Sequence, residues 1–196
     1  MFTGIVQGKG KVIEIERCQK GGTLILEIPS TIKLQKGESF GVNGVCLTVK
    51  EIKKNRVWFD CMPETFRVTN LGFLKPNEEV NLEKPITLQT PLGGHLVQGH
   101  VDGIGIIADV KIEGNARILR IKAPRHLCRY FIPKGSVAVD GVSLTIAKAF
   151  KDGFTVSLIP ETQKITTLGR KAKGSSVNLE VDLIAKYLEK LVRHGI

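Results

Sequence analysis

The sequence predicts an all-β chain of two tandem antiparallel barrels, each of about six strands, followed by one amphipathic helix. Three observations carry this. The 196 residues contain nearly the same phrase twice, "VNGVCLTV" at 42–49 and "VDGVSLTI" at 139–146. Each half breaks into short runs of Val, Ile, Leu and Thr bounded by Gly, Asn, Asp and Pro, which is the signature of strands. After residue 181 the apolar residues change to a helical period.

The repeat comes first, because missing it would misread the fold. An offset of 97 maps Asn43-Gly44 onto Asp140-Gly141, Cys46 onto Ser143 and Thr48 onto Thr145. It also maps "PETFRVTNLG" (63–72) onto "PETQKITTLG" (160–169) and "VNLE" (80–83) onto "VNLE" (177–180). Nearer the N-terminus an offset of 95 maps "GIVQGKGKV" (4–12) onto "GHVDGIGII" (99–107). A period this long is domain duplication. The expected units are a barrel over 1–88, a barrel over 89–181 and a helix over 182–196, with the joint near "KPITLQTPLGG" (84–94).

In the first copy the strands are "KVIEIE", "GTLILEIP", "SFGV", "VCLTVKEI", "RVWFDCM" and "EVNLE". Asn43-Gly44 and Asp140-Gly141 suit tight hairpin turns, whose central residues need positive φ. Closing six short strands into a barrel removes exposed sheet edges. Pro63 and Pro160 suit the first turn of a short helix, and Gly72 and Gly169 are expected to end it. In "DLIAKYLEKLVRHG" (182–195), Leu183, Ile184, Tyr187, Leu188, Leu191 and Val192 fall on one helical face. Asp182 can cap its start, Arg193 and His194 complement its C-terminal dipole, and Gly195 can end it. This stripe must be buried either against a barrel or against its counterparts in an oligomer.

Composition narrows the function classes. The chain is 42% hydrophobic and 24% charged, as expected of a globular protein. It has no apolar run near the roughly 20 residues that span a bilayer and no secretory signal at its start, so a soluble, cytoplasmic protein without membrane association is expected. Cys18, Cys46, Cys61 and Cys128 form no CxxC pair and have no zinc-like His spacing. Neither a metal nor a cofactor is expected, and Cys18, Cys61 and Cys128 read as small hydrophobes. The net charge of +10 comes from Lys and Arg spread along both halves, with only short clusters at "KKNR" (53–56) and "GRKAKG" (169–174). Aromatics make up only 6%, too few for the base-stacking platforms of a nucleic-acid-binding barrel. A solvated basic surface is the expectation.

The opening "MFTGIV", the pair "NGVCLTV" and "DGVSLTI", "GGHLVQGHVDG" and both "PET…TxLG" segments, in this order, resemble the riboflavin synthase family of lumazine-binding tandem barrels. The resemblance spans essentially the whole chain. It implies two six-stranded antiparallel barrels of Greek-key type and a homotrimer held by the C-terminal helices. It further implies a cofactor- and metal-free reaction in which two molecules of 6,7-dimethyl-8-ribityllumazine exchange a four-carbon unit, giving riboflavin and 5-amino-6-(D-ribitylamino)uracil. Each barrel would bind one lumazine, the active site forming where the N-terminal barrel of one subunit faces the C-terminal barrel of its neighbour. Lumazine synthase, which makes the substrate, is a partner the basic surface could meet.

The reactants are identical, so duplicated barrels can present the same frame to each and bring the rings together. One molecule must nevertheless donate carbons and the other accept them. Shared positions are therefore expected to bind and differing positions to catalyse. The shared ligand segments are Gly4-Ile5-Val6 with Gly99-His100-Val101, and Cys46-Leu47-Thr48 with Ser143-Leu144-Thr145. The third pair is Asp60-Cys61-Met62-Pro63-Glu64-Thr65 with Ser157-Leu158-Ile159-Pro160-Glu161-Thr162. The chemistry needs a proton removed from the acidic C7 methyl of one lumazine and a nucleophile added at C7 of the other. His100 suits the proton step, and a Ser, Thr, Cys or water can supply the addition. The resemblance points to His100, Ser143 and Thr145 in the C-terminal pocket, and to Phe2, Ser39, Cys46 and Thr48 on the N-terminal side. Lys134 and Asp182 are its charged residues at the shared site. His100 is expected in a barrel interior, where an unpaired His would otherwise cost stability. His95 and His126 are read as structural. The competing reading is a non-catalytic antenna protein, which keeps both barrels and binds a lumazine or flavin without turning it over.

Overall fold

The computed structural model describes residues 1–193. The first copy contributes β1 (Gly8–Cys18), β2 (Gly21–Glu27), β3 (Ser39–Val42), β4 (Val45–Lys53), β5 (Arg56–Cys61) and β6 (Glu79–Glu83). They close in the antiparallel order β1-β2-β5-β4-β3-β6, so β2 pairs with β5 across the β3–β4 hairpin in Greek-key fashion. The second copy repeats this ring with β7 (Gly103–Glu113), β8 (Ala116–Lys122), β9 (Ser136–Val139), β10 (Val142–Phe150), β11 (Gly153–Leu158) and β12 (Ser176–Val181). Bulges recur at equivalent places, after Val12 and Ile107 and after Val49 and Ile146. They supply the extra twist that lets so small a sheet close.

Alternation decides which side chains face inward. In β4, Val45, Leu47 and Val49 are buried while Thr48 and Lys50 are exposed and Cys46 is half-buried. β10 repeats this with Val142, Leu144 and Ile146 inside and Ser143 and Thr145 outside. Each barrel is filled by its own apolar cluster, around Phe40, Phe59 and Leu82 in the first and Ile121, Phe154 and Leu179 in the second. The two-residue turns form as expected: Asn43 and Asp140 both have φ 46°, and Gly44 and Gly141 have φ 74° and 77°.

Two segments cross between the barrels. Val6 packs in the core of the second barrel, and Val101 packs against the core of the first. The Ser143 N–H donates to the Gly4 carbonyl (2.8 Å), and the Cys46 N–H donates to the Gly99 carbonyl (2.9 Å). Gly4 (φ 75°) and Gly99 (φ 81°) lie so close to these strands that a Cβ would stand 2.6 Å from the Ser143 or Cys46 Cβ. Both positions therefore require glycine.

The barrels meet at a buried polar seam with pseudo-two-fold symmetry. Asn178 Nδ2 donates to the Asn43 carbonyl (2.8 Å) and Asn81 Nδ2 to the Asp140 carbonyl (2.9 Å). Their side-chain oxygens accept the Asn70 N–H (2.7 Å) and the Thr167 N–H (2.8 Å) respectively. The symmetry breaks where Asn70, whose side chain bonds to Asp140 and Asn178, is matched by Thr167. It breaks with charge at Asp140, which is fully buried and paired with Lys171 at 3.1 Å, where the first copy has Asn43 and Leu74.

Pro63 and Pro160 open α1 (Pro63–Val68) and α2 (Pro160–Ile165) as expected. Gly72 and Gly169 do not end these helices, because each lies in a following 3₁₀ turn. Their lack of a side chain serves a close approach, since a Cβ would stand 2.0 Å from the Phe66 or Gln163 carbonyl oxygen. The final helix, α3 (Leu183–Arg193), is capped by Asp182, whose carboxylate accepts the Ile184 N–H at 2.9 Å. His194 and Gly195, expected at its end, lie outside the described residues. α3 docks on the second barrel through polar contacts: Lys186 with Asp102 (2.7 Å) and Glu189 with Arg129 (3.0 Å) and Tyr130. Its apolar stripe faces outward, with Tyr187 61% and Val192 79% exposed. Among the described residues no helix is long and apolar enough to cross a membrane.

Candidate active site

The repeated motifs gather on two outer faces, one on each barrel. On the first barrel, Cys46, Leu47, Thr48, Asp60, Met62 and Thr65 line a cleft of about 370 Å³ together with Lys36 and Lys50. Lys50 and Asp60 form an ion pair across it at 2.7 Å. Ser39 pairs in register with Thr48. The segment 98–101 crosses from the second half and bonds to Cys46 through Gly99. Phe2 lies beneath this face, buried with Val97, Ala138 and Cys46, and is bridged to Val97 through its backbone. It forms a floor and has no surface of its own to offer a ligand.

On the second barrel, the equivalent strands bring Ser143, Thr145, Ser157 and Ile159 outward. The crossing segment here is 3–6. The linker is added over it: the His95 N–H donates to the Thr3 carbonyl (3.1 Å), and His95 Nδ1 lies 2.7 Å from Ser143 Oγ. Gly94 packs directly on Ser143, where a Cβ would come within 2.8 Å of the Ser143 Cβ. Burial pushes the His95 imidazole below its ordinary 6.5, against the opposing charge of Asp182. Burial thus favours the neutral ring, the form able to accept a proton.

The structure corrects several expectations. Within one chain, His100 does not lie on the face that carries Ser143 and Thr145. It is exposed, and it follows the residue bonded to Cys46 on the first barrel, because 98–101 crosses over. Ile5, its counterpart, is exposed beside the second barrel's face. His95, read as structural, is the histidine that meets Ser143. Strand alternation turns Leu47, Cys61, Leu144 and Leu158 into the barrel cores, and Val6 is buried likewise, so these five can offer a ligand only their backbones. Burial, with the Asp60 charge adding, pushes the Cys61 thiol up to about 12, which makes it inert. Lys134 is exposed in a turn with φ 70°. Glu64 and Glu161 are exposed in the first turns of α1 and α2, behind Pro63 and Pro160. Thr65 and Thr162 carry their carbonyls to the Thr69 and Thr166 hydroxyls at 2.6 Å.

Two residues that matter to both faces were missed in the sequence. Glu83 accepts the Thr3 N–H (2.7 Å) and the Gly4 N–H (3.1 Å), and Glu180 accepts the Gln98 N–H (2.6 Å) and the Gly99 N–H (2.9 Å). The signal was present in the matched "VNLE" pair, whose Glu sits in an otherwise buried strand end. Larger grooves of about 600 and 750 Å³ open around Glu79 and Arg170, but neither contains a residue of the shared ligand segments. Among the described residues no His, Cys, Asp and Glu side chains converge as a metal site.

Comparison with known proteins agrees with this duplicated frame. Residues 3–85 and 98–182 each match the lumazine binding domain. The chain is 44% identical over 195 residues to riboflavin synthase of Actinobacillus pleuropneumoniae, covering 98% of this chain and 90% of that one. Against riboflavin synthase of Mycobacterium bovis the identity is 44% over 198 residues, with 98% of both chains covered. Against that of Escherichia coli it is 42%, covering 93% and 87%. Among solved structures, LumP complexed with 6,7-dimethyl-8-(1'-D-ribityl) lumazine superposes with a TM-score of 0.84 at 28% identity, over 92% of this chain and 99% of that one. LumP complexed with riboflavin superposes at 0.85 and 30%, with the same coverage. The chain belongs to the riboflavin synthase family, transferases built on two lumazine binding domains.

Proposed function

We propose that the chain catalyses the dismutation of two 6,7-dimethyl-8-ribityllumazine molecules by four-carbon transfer, giving riboflavin and 5-amino-6-(D-ribitylamino)uracil, with no cofactor or metal. The observation that carries this reading is the pair of equivalent outer faces that differ at their reacting positions, Cys46 against Ser143. Each face takes one lumazine. Backbone groups of 46–48 and 143–145, and of the crossing segments 4–6 and 99–101, read the ring edge. Thr48, Thr145, Ser39 and the Thr65 and Thr162 segments hold polar groups.

The second face carries a hydrogen-bonded Ser143–His95 pair. With the imidazole neutral, Nδ1 can accept the Ser143 hydroxyl proton as Oγ adds to C7 of one lumazine. On the first face His100 stands next to the Cys46 strand, where it can take a proton from the C7 methyl of the other. Lys36, Lys50 and Lys134 then offset the negative charge that develops. Holding both rings together converts an encounter into a positioned reaction.

The outward stripe of α3 supports assembly into a homotrimer, in which the first face of one subunit meets the second face of its neighbour. Lys134 and Asp182 would then border the shared site. The cytoplasm is the proposed location, and lumazine synthase a proposed partner of the basic surface; co-sedimentation with that enzyme tests the latter.

A second reading rests on the LumP likeness: a binding protein that holds lumazine or riboflavin without conversion. Incubation of the protein with 6,7-dimethyl-8-ribityllumazine alone separates the two. Riboflavin and the diaminouracil formed in equal amounts establish the dismutation, whereas tight binding without product establishes the antenna reading.

A further inference from the structure

We infer that Glu83 and Glu180 act crosswise as positioning residues. Glu83, on the first barrel, sets the segment that completes the ligand face of the second. Glu180, on the second barrel, sets the segment that completes the first. This rests on the reading of the two outer faces as lumazine sites.

The geometry is repeated almost atom for atom. Each glutamate stands at the end of its barrel's last strand, β6 or β12, and uses its two carboxylate oxygens to accept the N–H groups of consecutive residues. Glu83 takes Thr3 on Oε1 and Gly4 on Oε2, with the Thr3 hydroxyl added on Oε1 at 2.9 Å. Glu180 takes Gln98 on Oε1 and Gly99 on Oε2. The second residue of each pair is the glycine whose carbonyl accepts from the other barrel's face: Gly4 from Ser143, Gly99 from Cys46. A carboxylate on one barrel is thus linked to the reacting strand of the other through a single glycine and two hydrogen bonds in series. Next along each crossing segment stand the residues that differ between the faces, Ile5 and His100.

Stability alone does not explain these side chains. Both are buried, and burial is the largest influence on each, pushing both carboxyls upward against the N–H groups that favour the charged form. An ionised carboxylate so enclosed costs the fold free energy. Once ionised, above its raised pKa, each is an acceptor with two equivalent oxygens, which fixes two successive peptide groups at once. A neutral amide cannot do this, because its NH₂ would face one of the two N–H donors.

The test is hydrogen exchange at two backbone amides, Cys46 and Ser143, in the full-length chain carrying Glu180→Gln or Glu83→Gln. Crosswise positioning predicts that Glu180→Gln speeds exchange at Cys46 about tenfold, the loss expected for one charge-assisted bond, and leaves Ser143 within about twofold. Glu83→Gln gives the reverse pattern. Lumazine affinity should fall at the same face as the freed amide, and so should turnover. Should a Gln variant fail to fold, the Asp variant, which keeps the charge one methylene short, is read in the same way. Faster exchange in the barrel that carries the substitution, equal acceleration at both amides, or no change at either would overturn the inference. The exchange pattern does not depend on turnover, so a wild-type chain that never makes riboflavin would sink the proposed reaction and not the crosswise contact.

Discussion

The two outer faces share a frame but differ in the side chains they present. Both are built on the outward positions of a β3–β4-type hairpin, both receive a crossing segment through a glycine, and both are anchored by a buried glutamate. The first presents a thiol, an open cleft with charged walls and an exposed histidine that arrives on segment 98–101. The second presents a hydroxyl already paired with a half-buried histidine, which arrives on the linker. Duplication supplied the equivalence that the proposed reaction of two identical lumazines needs. The asymmetry was added at the edges, where segments from outside each barrel are laid on it.

In the proposed trimer, the largest effect should come from separating the faces of neighbouring subunits. A chain ending at Asp182 loses α3 and its exposed stripe. Turnover should vanish while lumazine binding to single barrels survives, and sedimentation should report a monomer. A truncated monomer that stays active would show that one chain holds both reactants.

Next is the histidine of each face. His95→Gln should lower turnover about 10²- to 10⁴-fold, the range for a positioned acid–base group, with lumazine binding retained. Steady-state kinetics beside equilibrium binding checks this. His100→Ala should act in the same range but through the first face, so the double variant should lose little beyond the worse single one if both serve one reaction.

The seam offers a comparison of the copies in stability. Lys171→Leu alone leaves Asp140 buried without its partner and should cost about 3–5 kcal/mol. Adding Asp140→Asn reproduces the Asn43 and Leu74 pair of the first copy and should recover most of that loss. Urea denaturation measures both.

The smallest effects are those of pH. Glu180 is pushed up from 4.5 to about 7, by burial first and by Asp102, against its two N–H donors and Lys186. The folded state therefore binds this proton more readily than the unfolded chain. The contribution is fully present below 4.5 and is lost as pH rises through about 7. His95 is pushed down from 6.5, so its contribution is full above 6.5 and is lost as pH falls. Glu180→Gln should make stability rise more steeply with pH than in wild type, and His95→Gln should flatten or reverse the rise. Denaturation midpoints between pH 4.5 and 8 decide it.

Much of this architecture is legible in the residues. The offsets of 97 and 95 reveal the duplication, Asn43-Gly44 and Asp140-Gly141 mark their hairpins, and Asp182 announces its helix. Strand alternation, applied to "VCLTV", would also have turned Leu47 inward and Thr48 outward. The crossing of 4–6 and 99–101 is not legible, because a segment that leaves one barrel for its twin meets the same sequence pattern in either. His95 escaped for a related reason. At the offset of 95 its counterpart would precede Met1, so a comparison of the copies never displays it. Glu83 and Glu180 were matched but read only as strand ends, since nothing in a sequence shows which N–H groups a carboxylate will find.

The most direct test of the account mixes two inactive chains. Thr48→Trp blocks the first face and Thr145→Trp blocks the second, both at outward positions that leave the barrel cores intact. Each variant alone should make no riboflavin. Trimers reassembled from an equal mixture should recover about a quarter of wild-type turnover, because about one in four random pairings of neighbouring faces is intact on both sides. A mixture as inactive as its components would contradict a site shared between the first barrel of one subunit and the second barrel of the next.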